Sequence, residues 1–262
     1  MKILNITLVL AFLAIMLIIN GCSSSTSPTT TKNFFPIVSG NYWVYASYNL
    51  DSLGNKDLTS LTTDSTVITG TQTLYGKSSF IFTTYNSKNG SSSQNFYTEN
   101  GKLYTAVANI MPDTTQIPLP LNIPEAWIVI ADPDSSSWTI FTQTYDNTNV
   151  SLPGYGSAKL TGTFTIKGEK GTQSTMQTGE NQSISVTAQE YKLVYSFVGN
   201  VTITGLPLPM TLNFTGTRHS WYGENIGLIQ SRTDPATISI GGGLITQKIQ
   251  GSESDMLRYH VN

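Results

Sequence analysis

The chain is poor in the residues on which most protein chemistry depends. It has one cysteine in 262 residues, so no disulfide can form within it. It has two histidines, His219 and His260. A zinc centre needs three or four converging ligands and would here have to rest on carboxylates, so no metal site is expected. No G-x-S-x-G elbow and no H-E-x-x-H pair occurs, which removes two common sequence marks of hydrolases. Charged residues make up 11% of the chain, against ~25% in ordinary soluble proteins. A net charge of −2 leaves no electrostatic case for a nucleic-acid partner. Helical spacing is missing too. Nowhere beyond Cys22 do apolar residues recur at intervals of three and four over a useful length.

Several fragments come near a catalytic or binding motif and fall short. Gly76-Lys77-Ser78 resembles the end of a phosphate-binding loop. Gly70 stands one position too far back, and the residues that follow alternate like a strand, so no helix N-terminus would meet a phosphate. Asp132-Pro133-Asp134-Ser135-Ser136-Ser137 starts like a calcium loop. It lacks the sixth-position glycine, and Gln143 stands where the twelfth-position glutamate belongs, so it reads as an Asx turn. Glu169, Glu180, Glu190 and Asp234 could serve a glycosidase, but nothing in their spacing pairs any two. His219 has Arg218 and Glu224 nearby and reads as a surface strand residue or a pH-sensitive contact; His260 reads as exposed. No enzyme and no cofactor is expected.

One long apolar run is present, and it comes at the start. Lys2 precedes Ile3 to Ile19, which only Asn5 and Thr7 interrupt. This is the layout of a secretory leader, and the run is also just long enough to span a membrane. The flank decides: Ile19-Asn20-Gly21-Cys22 resembles the bacterial lipobox, with Asn20 a less usual occupant of its position. The expectation is a lipoprotein signal peptide over residues 1–21, with Cys22 carrying the lipid and joining the chain to a bilayer. Residues 22–33 then form a Ser/Thr-rich tether with nothing apolar to bury. By resemblance to lipoprotein sorting, Ser23 implies delivery to the outer membrane, with the periplasmic face as the default.

Residues 34–262 are rich in strand formers, with 13 tyrosines and 10 phenylalanines in the whole chain. Alternation of period two runs through Lys159–Lys167, Tyr191–Phe197 and Leu208–Gly216. Shorter candidates are Tyr42–Tyr48, Ser65–Thr69, Ser79–Tyr85, Asn95–Thr98, Lys102–Ala106, Ala126–Ile130 and Ser137–Thr142. Gly227–Arg232, Ala236–Ile240, Leu244–Ile249 and Met256–Val261 complete the set, and Leu50–Leu61 reads as a polar hairpin loop. The fold expected is all-β: one domain with a large antiparallel sheet, curled into a half-barrel or stacked as a sandwich.

Two phrases carry a family resemblance. Phe34-Phe35-Pro36-Ile37-Val38-Ser39-Gly40-Asn41-Tyr42-Trp43-Val44-Tyr45 is similar to the opening of a group of uncharacterised bacterial lipoproteins related to the DUF3108-like group. Trp221-Tyr222-Gly223-Glu224-Asn225-Ile226-Gly227-Leu228-Ile229 resembles a phrase near their end. The resemblance implies a curved antiparallel half-barrel like that of the lipoprotein carriers of the Lol system. It transfers no catalytic residue. Physically, Pro36 ends pairing ahead of the first strand, Gly40-Asn41 turns into it, and Trp43 and Tyr45 share a face.

Two functional classes follow. In one, the curved sheet encloses an apolar ligand or a lipidated partner, with Trp43, Tyr45, Phe80, Phe82 and Leu193 as the wall. In the other, side chains fill the interior and the protein is a structural or assembly component of the envelope. The Leu/Pro segments 117–124 and 205–210 are apolar yet ill-suited to strand pairing. Their Leu119, Leu121, Leu206 and Leu208 would either rim a cavity, partly exposed, or form a packed lid.

Overall fold

The computed structural model describes residues 33–88, 90–111, 119–152, 156–205 and 208–262. The leader, Cys22 and Leu206 lie outside the described residues. Asn33–Asn262 is one compact unit. All described residues belong to this unit, and their ladders and core clusters lie within it.

The unit is all-β, as expected. The first half contributes β1 (Tyr42–Leu50), β2 (Lys56–Leu74), β3 (Lys77–Asn86), β4 (Gly90–Glu99), β5 (Lys102–Ala106) and β6 (Trp127–Ala131). Three long strands follow: β7 (Ser137–Leu152), β8 (Gly156–Thr178) and β9 (Ile184–Ile203). The last are β10 (Met210–Gly223), β11 (Gly227–Thr233), β12 (Ala236–Ile240), β13 (Ile245–Ile249) and β14 (Gly251–His260). Alternation places them. In β8, Ala158, Leu160, Phe164 and Ile166 are buried while Lys159, Thr161 and Lys167 are exposed.

The strands form one antiparallel sheet in the order β6-β5-β4-β3-β2-β1-β14-β11-β10-β9-β8-β7. The hairpin β12–β13 branches off β10 through Leu212 and Asn213. The sheet is not a sandwich, and it curls further than a half-barrel: it is nearly closed. Its two end strands, β6 and β7, are consecutive in the chain. A single turn joins them, and three bonds hold the seam and that turn. The Trp138 indole donates to the Val129 carbonyl (2.8 Å), the Lys170 amide to the Ser136 carbonyl (3.0 Å), and the Lys170 ammonium to the Pro133 carbonyl. Near-closure hides the unpaired edges that a flat sheet would present to other chains.

Asp132 shapes that turn. Its carboxylate accepts from the Asp134 amide (3.0 Å), the Ser135 hydroxyl (2.9 Å) and the Lys102 ammonium (2.8 Å). Burial pushes this carboxyl up, and those three donors more than offset it, holding it below the usual aspartate value. The Asx-turn reading is what the bonds show. Gly76, at φ 75 beside Tyr75 at φ 44, sits in the tight turn between β2 and β3, so the phosphate-loop look-alike is a hairpin turn.

The interior is packed unevenly. At one side Phe164, Phe197 and Phe214 stand opposite one another on β8, β9 and β10. All three are buried in the largest core cluster, with Ile238 and Ile240 of the β12–β13 hairpin over it. On β10, β11, β14 and β1 a row of equal regularity is made of serine: Ser220 opposite Ser231, Ser231 opposite Ser254, and Ser254 opposite Ser47. Rings fill the first region. The short side chains of the second leave space.

Candidate functional site

That space is a cavity of about 300 Å³ bounded by all four serines. This is the lower end of the ~300–1,000 Å³ range of small-molecule sites. Its apolar wall includes Trp43, Tyr45, Phe82, Phe96, Leu193 and Leu228. Phe34 to Ile37, ahead of β1, also line it.

The two phrases, far apart in sequence, meet at this wall. The Trp43 indole donates to the Ile226 carbonyl (2.6 Å) across 183 residues, and the Tyr45 hydroxyl to the Leu228 carbonyl (2.8 Å). Trp43 stacks on Phe82 with centroids 6.0 Å apart. Phe35 meets Tyr222 edge-on at 5.0 Å, and the Asn225 amide bonds the Asn33 carbonyl (2.7 Å). Asn225 (φ 61) and Gly227 (φ 94) take the left-handed conformations that turn β10 into β11. A Cβ on Gly227 would lie 3.2 Å from the Trp43 ring, so glycine at this turn also lets the indole approach.

The expected wall is largely assembled. Trp43, Tyr45, Phe82 and Leu193 line the cavity. Phe80 does not line it; it is partly buried against the cluster around Trp43 and opposite Phe96. Among the described residues of the Leu/Pro segments, none lines the cavity. Leu119 is 5% exposed, inside the largest core cluster, and Leu121 packs against the same cluster. Gln143 straps this segment to β7, donating to the Pro120 carbonyl (2.8 Å) and accepting from the Asn122 amide (2.8 Å). For Leu119 and Leu121 this is the packed-lid arrangement. Leu208 is 70% exposed and lines nothing.

The polar groups of the wall are mostly satisfied. Asp64 accepts from Ser47 and Asn86. Burial, reinforced by Tyr222, pushes the Tyr45 hydroxyl far up. Burial pushes Tyr222 up to about 12, with Arg218 and Ser220 pulling the other way. These phenols are therefore hydrogen-bond donors at neutral pH, not bases. Two groups stand out. Tyr191 is 2% exposed and its hydroxyl has no hydrogen-bond partner. Arg218 lines the cavity, and among the described residues no carboxylate or hydrogen-bond acceptor pairs with its guanidinium.

Sequence reasoning missed Arg218, although the signal was there. Leu212, Phe214, Gly216 and Arg218 are in phase on β10, so the alternation already read to Gly216 puts a cation on the inward face two positions later. His219 is out of phase with that face. It stands between Glu190 (2.7 Å) and Asp234 (3.1 Å) and stacks on Trp221. Its partners are these carboxylates, brought from β9 and the turn after β11, and not its sequence neighbours. His260 is exposed and stacks on Tyr42.

No family profile and no curated protein sequence matches the chain, so the resemblance to the DUF3108-like group rests on the two phrases alone. Among solved structures, the chain is similar to a candidate lipoprotein of Parabacteroides distasonis at 15% identity and a TM-score of 0.46, covering 87% of this chain and 99% of that one. It is also similar to a candidate exported protein with a YmcC-like fold from Bacteroides fragilis, at 13% identity and a TM-score of 0.40, with the same coverage.

Proposed function

We propose that this chain is a lipid-anchored envelope protein of the outer membrane, facing the periplasm, whose barrel binds one apolar small molecule and catalyses nothing. The observation that carries the binding role is the cavity of about 300 Å³, walled by aromatic residues and kept open by a row of serines. A chain selected only for a filled core has a simple alternative, which the phenylalanine row displays on the neighbouring strands. The anchor is supported by the leader and by the unique cysteine behind a lipobox-like flank.

The test of binding is mass spectrometry of solvent extracts of the full chain purified from its own membranes. An apolar molecule at close to one per protein is expected. An empty protein that also takes up no fluorescent fatty-acid probe saturably would leave the structural role. The test of the anchor is fractionation. Cys22→Ser removes the acyl acceptor, so the chain should accumulate unprocessed or move to the soluble fraction. A Cys22→Ser chain that stays with the outer membrane after high-salt washing would refute lipid anchoring through that residue.

A further inference from the structure

Resting on the binding role, we infer that the ligand is a single-chain anionic amphiphile, and that Arg218 recognises its head group. A guanidinium bordering an apolar cavity without a carboxylate partner sits in an unfavourable place, because removal from water costs free energy that a counter-charge normally offsets. Arg218 is half-buried, and the outer face shows how this protein treats its other half-buried cations. Arg232 bonds Glu253 (2.8 Å) and Asp234 (2.9 Å), and Lys102 bonds the buried Asp132. Arg218 is the exception, and it is on the cavity side. A planar guanidinium matches the two oxygens of a carboxylate or the oxygens of a phosphate monoester.

Donors suited to an anion stand next to it. Ser220 follows on the same face of β10. Ser231, opposite Ser220, has a hydroxyl with no hydrogen-bond partner among the described residues. Tyr191, opposite Ser220 on β9, also lines the cavity, but its unpartnered hydroxyl feels the Asp132 and Asp134 carboxylates and belongs to no anion site. The carboxylate Asp64 is on β2, three strands beyond β11 in the sheet order, and is already engaged by Ser47 and Asn86. The cavity is therefore polar and positive at β10–β11 and aromatic around Trp43, Phe82 and Phe96. Its size suits one acyl chain better than several. A fatty acid and a lysophospholipid with a terminal phosphate share this chemistry.

The experiment is equilibrium binding of dansyl-undecanoic acid and of its methyl ester to the full chain. The acid is expected to bind about tenfold or more tighter than the ester, the size of one charge-assisted hydrogen-bonded contact. In Arg218→Met the two should bind equally, and Arg218→Lys should keep part of the preference. Displacement by palmitate would identify a carboxylate head, and stronger displacement by lysophosphatidate a phosphate head. Equal binding of acid and ester to the unmutated protein, or displacement by a neutral monoacylglycerol as strong as by palmitate, would overturn the role of Arg218 and leave apolar binding intact. Absence of saturable binding of either probe would remove the binding role itself. Melting of the empty protein is an independent check. Arg218→Met should leave the melting temperature unchanged or raise it, because an unpaired charge has been removed; a large fall would mean that Arg218 is structural.

Discussion

Trp43→Ala is expected to lower the stability of the barrel by roughly 3–5 kcal/mol, as for other buried tryptophans. In a domain of this size that moves the melting temperature by roughly 6–20 °C. Three losses combine. The indole is 4% exposed, so nearly all of its surface is removed from contact. The Ile226 carbonyl loses its donor in a buried place. The turn at Asn225–Gly227, held in left-handed conformations against the ring, loses the surface on which it rests. Trp43→Phe separates these contributions. It keeps most of the packing and gives up the hydrogen bond, so about 1 kcal/mol is expected. Urea unfolding of the three proteins decides the matter. A Trp43→Ala barrel within ~1 kcal/mol of the parent would show that the contact between the two phrases does not hold the fold together. The same variant enlarges the cavity beside Phe82, so a stability loss accompanied by unchanged or improved uptake of an apolar probe would place the wall and the ligand site at one spot.

That contact also shows what could be read from the chain before its structure. Trp43 and Tyr45 share a face by simple alternation, and Gly40, Asn225 and Gly227 mark turns because few other residues take those backbone angles. All fourteen strands lie where period-two alternation or a short apolar run puts them. Their lengths were not legible. β2 runs from Lys56 and β8 on to Thr178. Lys56–Thr59 and Thr172–Thr175 are exposed throughout or nearly so. A strand wet on both faces has no apolar phase to reveal it, which is why Lys56 and Asp57 read as loop and pair as strand. Pairing over long distances was not legible either. That Ser47, Ser254, Ser231 and Ser220 form one row depends on the register of four strands, set by turns and bulges scattered over the chain. The cavity is a product of that register, so sequence alone supplied its aromatic wall and not the polar side or Arg218. The Leu/Pro segments misled for a related reason. Residues 119–124 do stay out of the ladders, but side-chain bonds from Gln143 fasten them onto the core.

Closure of the barrel yields the second large effect. Trp138 on β7 lies over Gly168 on β8, its register partner, and reaches across the seam to the Val129 carbonyl of β6. A Cβ at residue 168 would stand 2.1 Å from the indole. Gly168→Ala must therefore push the ring off its site, which costs roughly 1–3 kcal/mol as overpacking and breaks the seam bond. Alanine is otherwise the better strand residue, by roughly 0.5–1 kcal/mol, because it has less chain entropy to lose. The effect of the substitution should therefore change sign with its neighbour. It should destabilise the parent protein and stabilise, or leave unchanged, a Trp138→Ala protein in which the ring is already gone. Urea unfolding of the parent, the two single variants and the double variant measures the coupling. Additive effects would show that the indole is not seated on Gly168. The seam gives a second readout. With Trp138 displaced, the end strands β6 and β7 lose the only side-chain bond between them among the described residues, and their unpaired edges become available to other chains. Gly168→Ala should then aggregate on mild heating well below its melting temperature. The double variant should aggregate as readily, although it should unfold no earlier than Trp138→Ala, because a methyl group at residue 168 reduces the chain entropy lost by β8 and adds nothing to the seam.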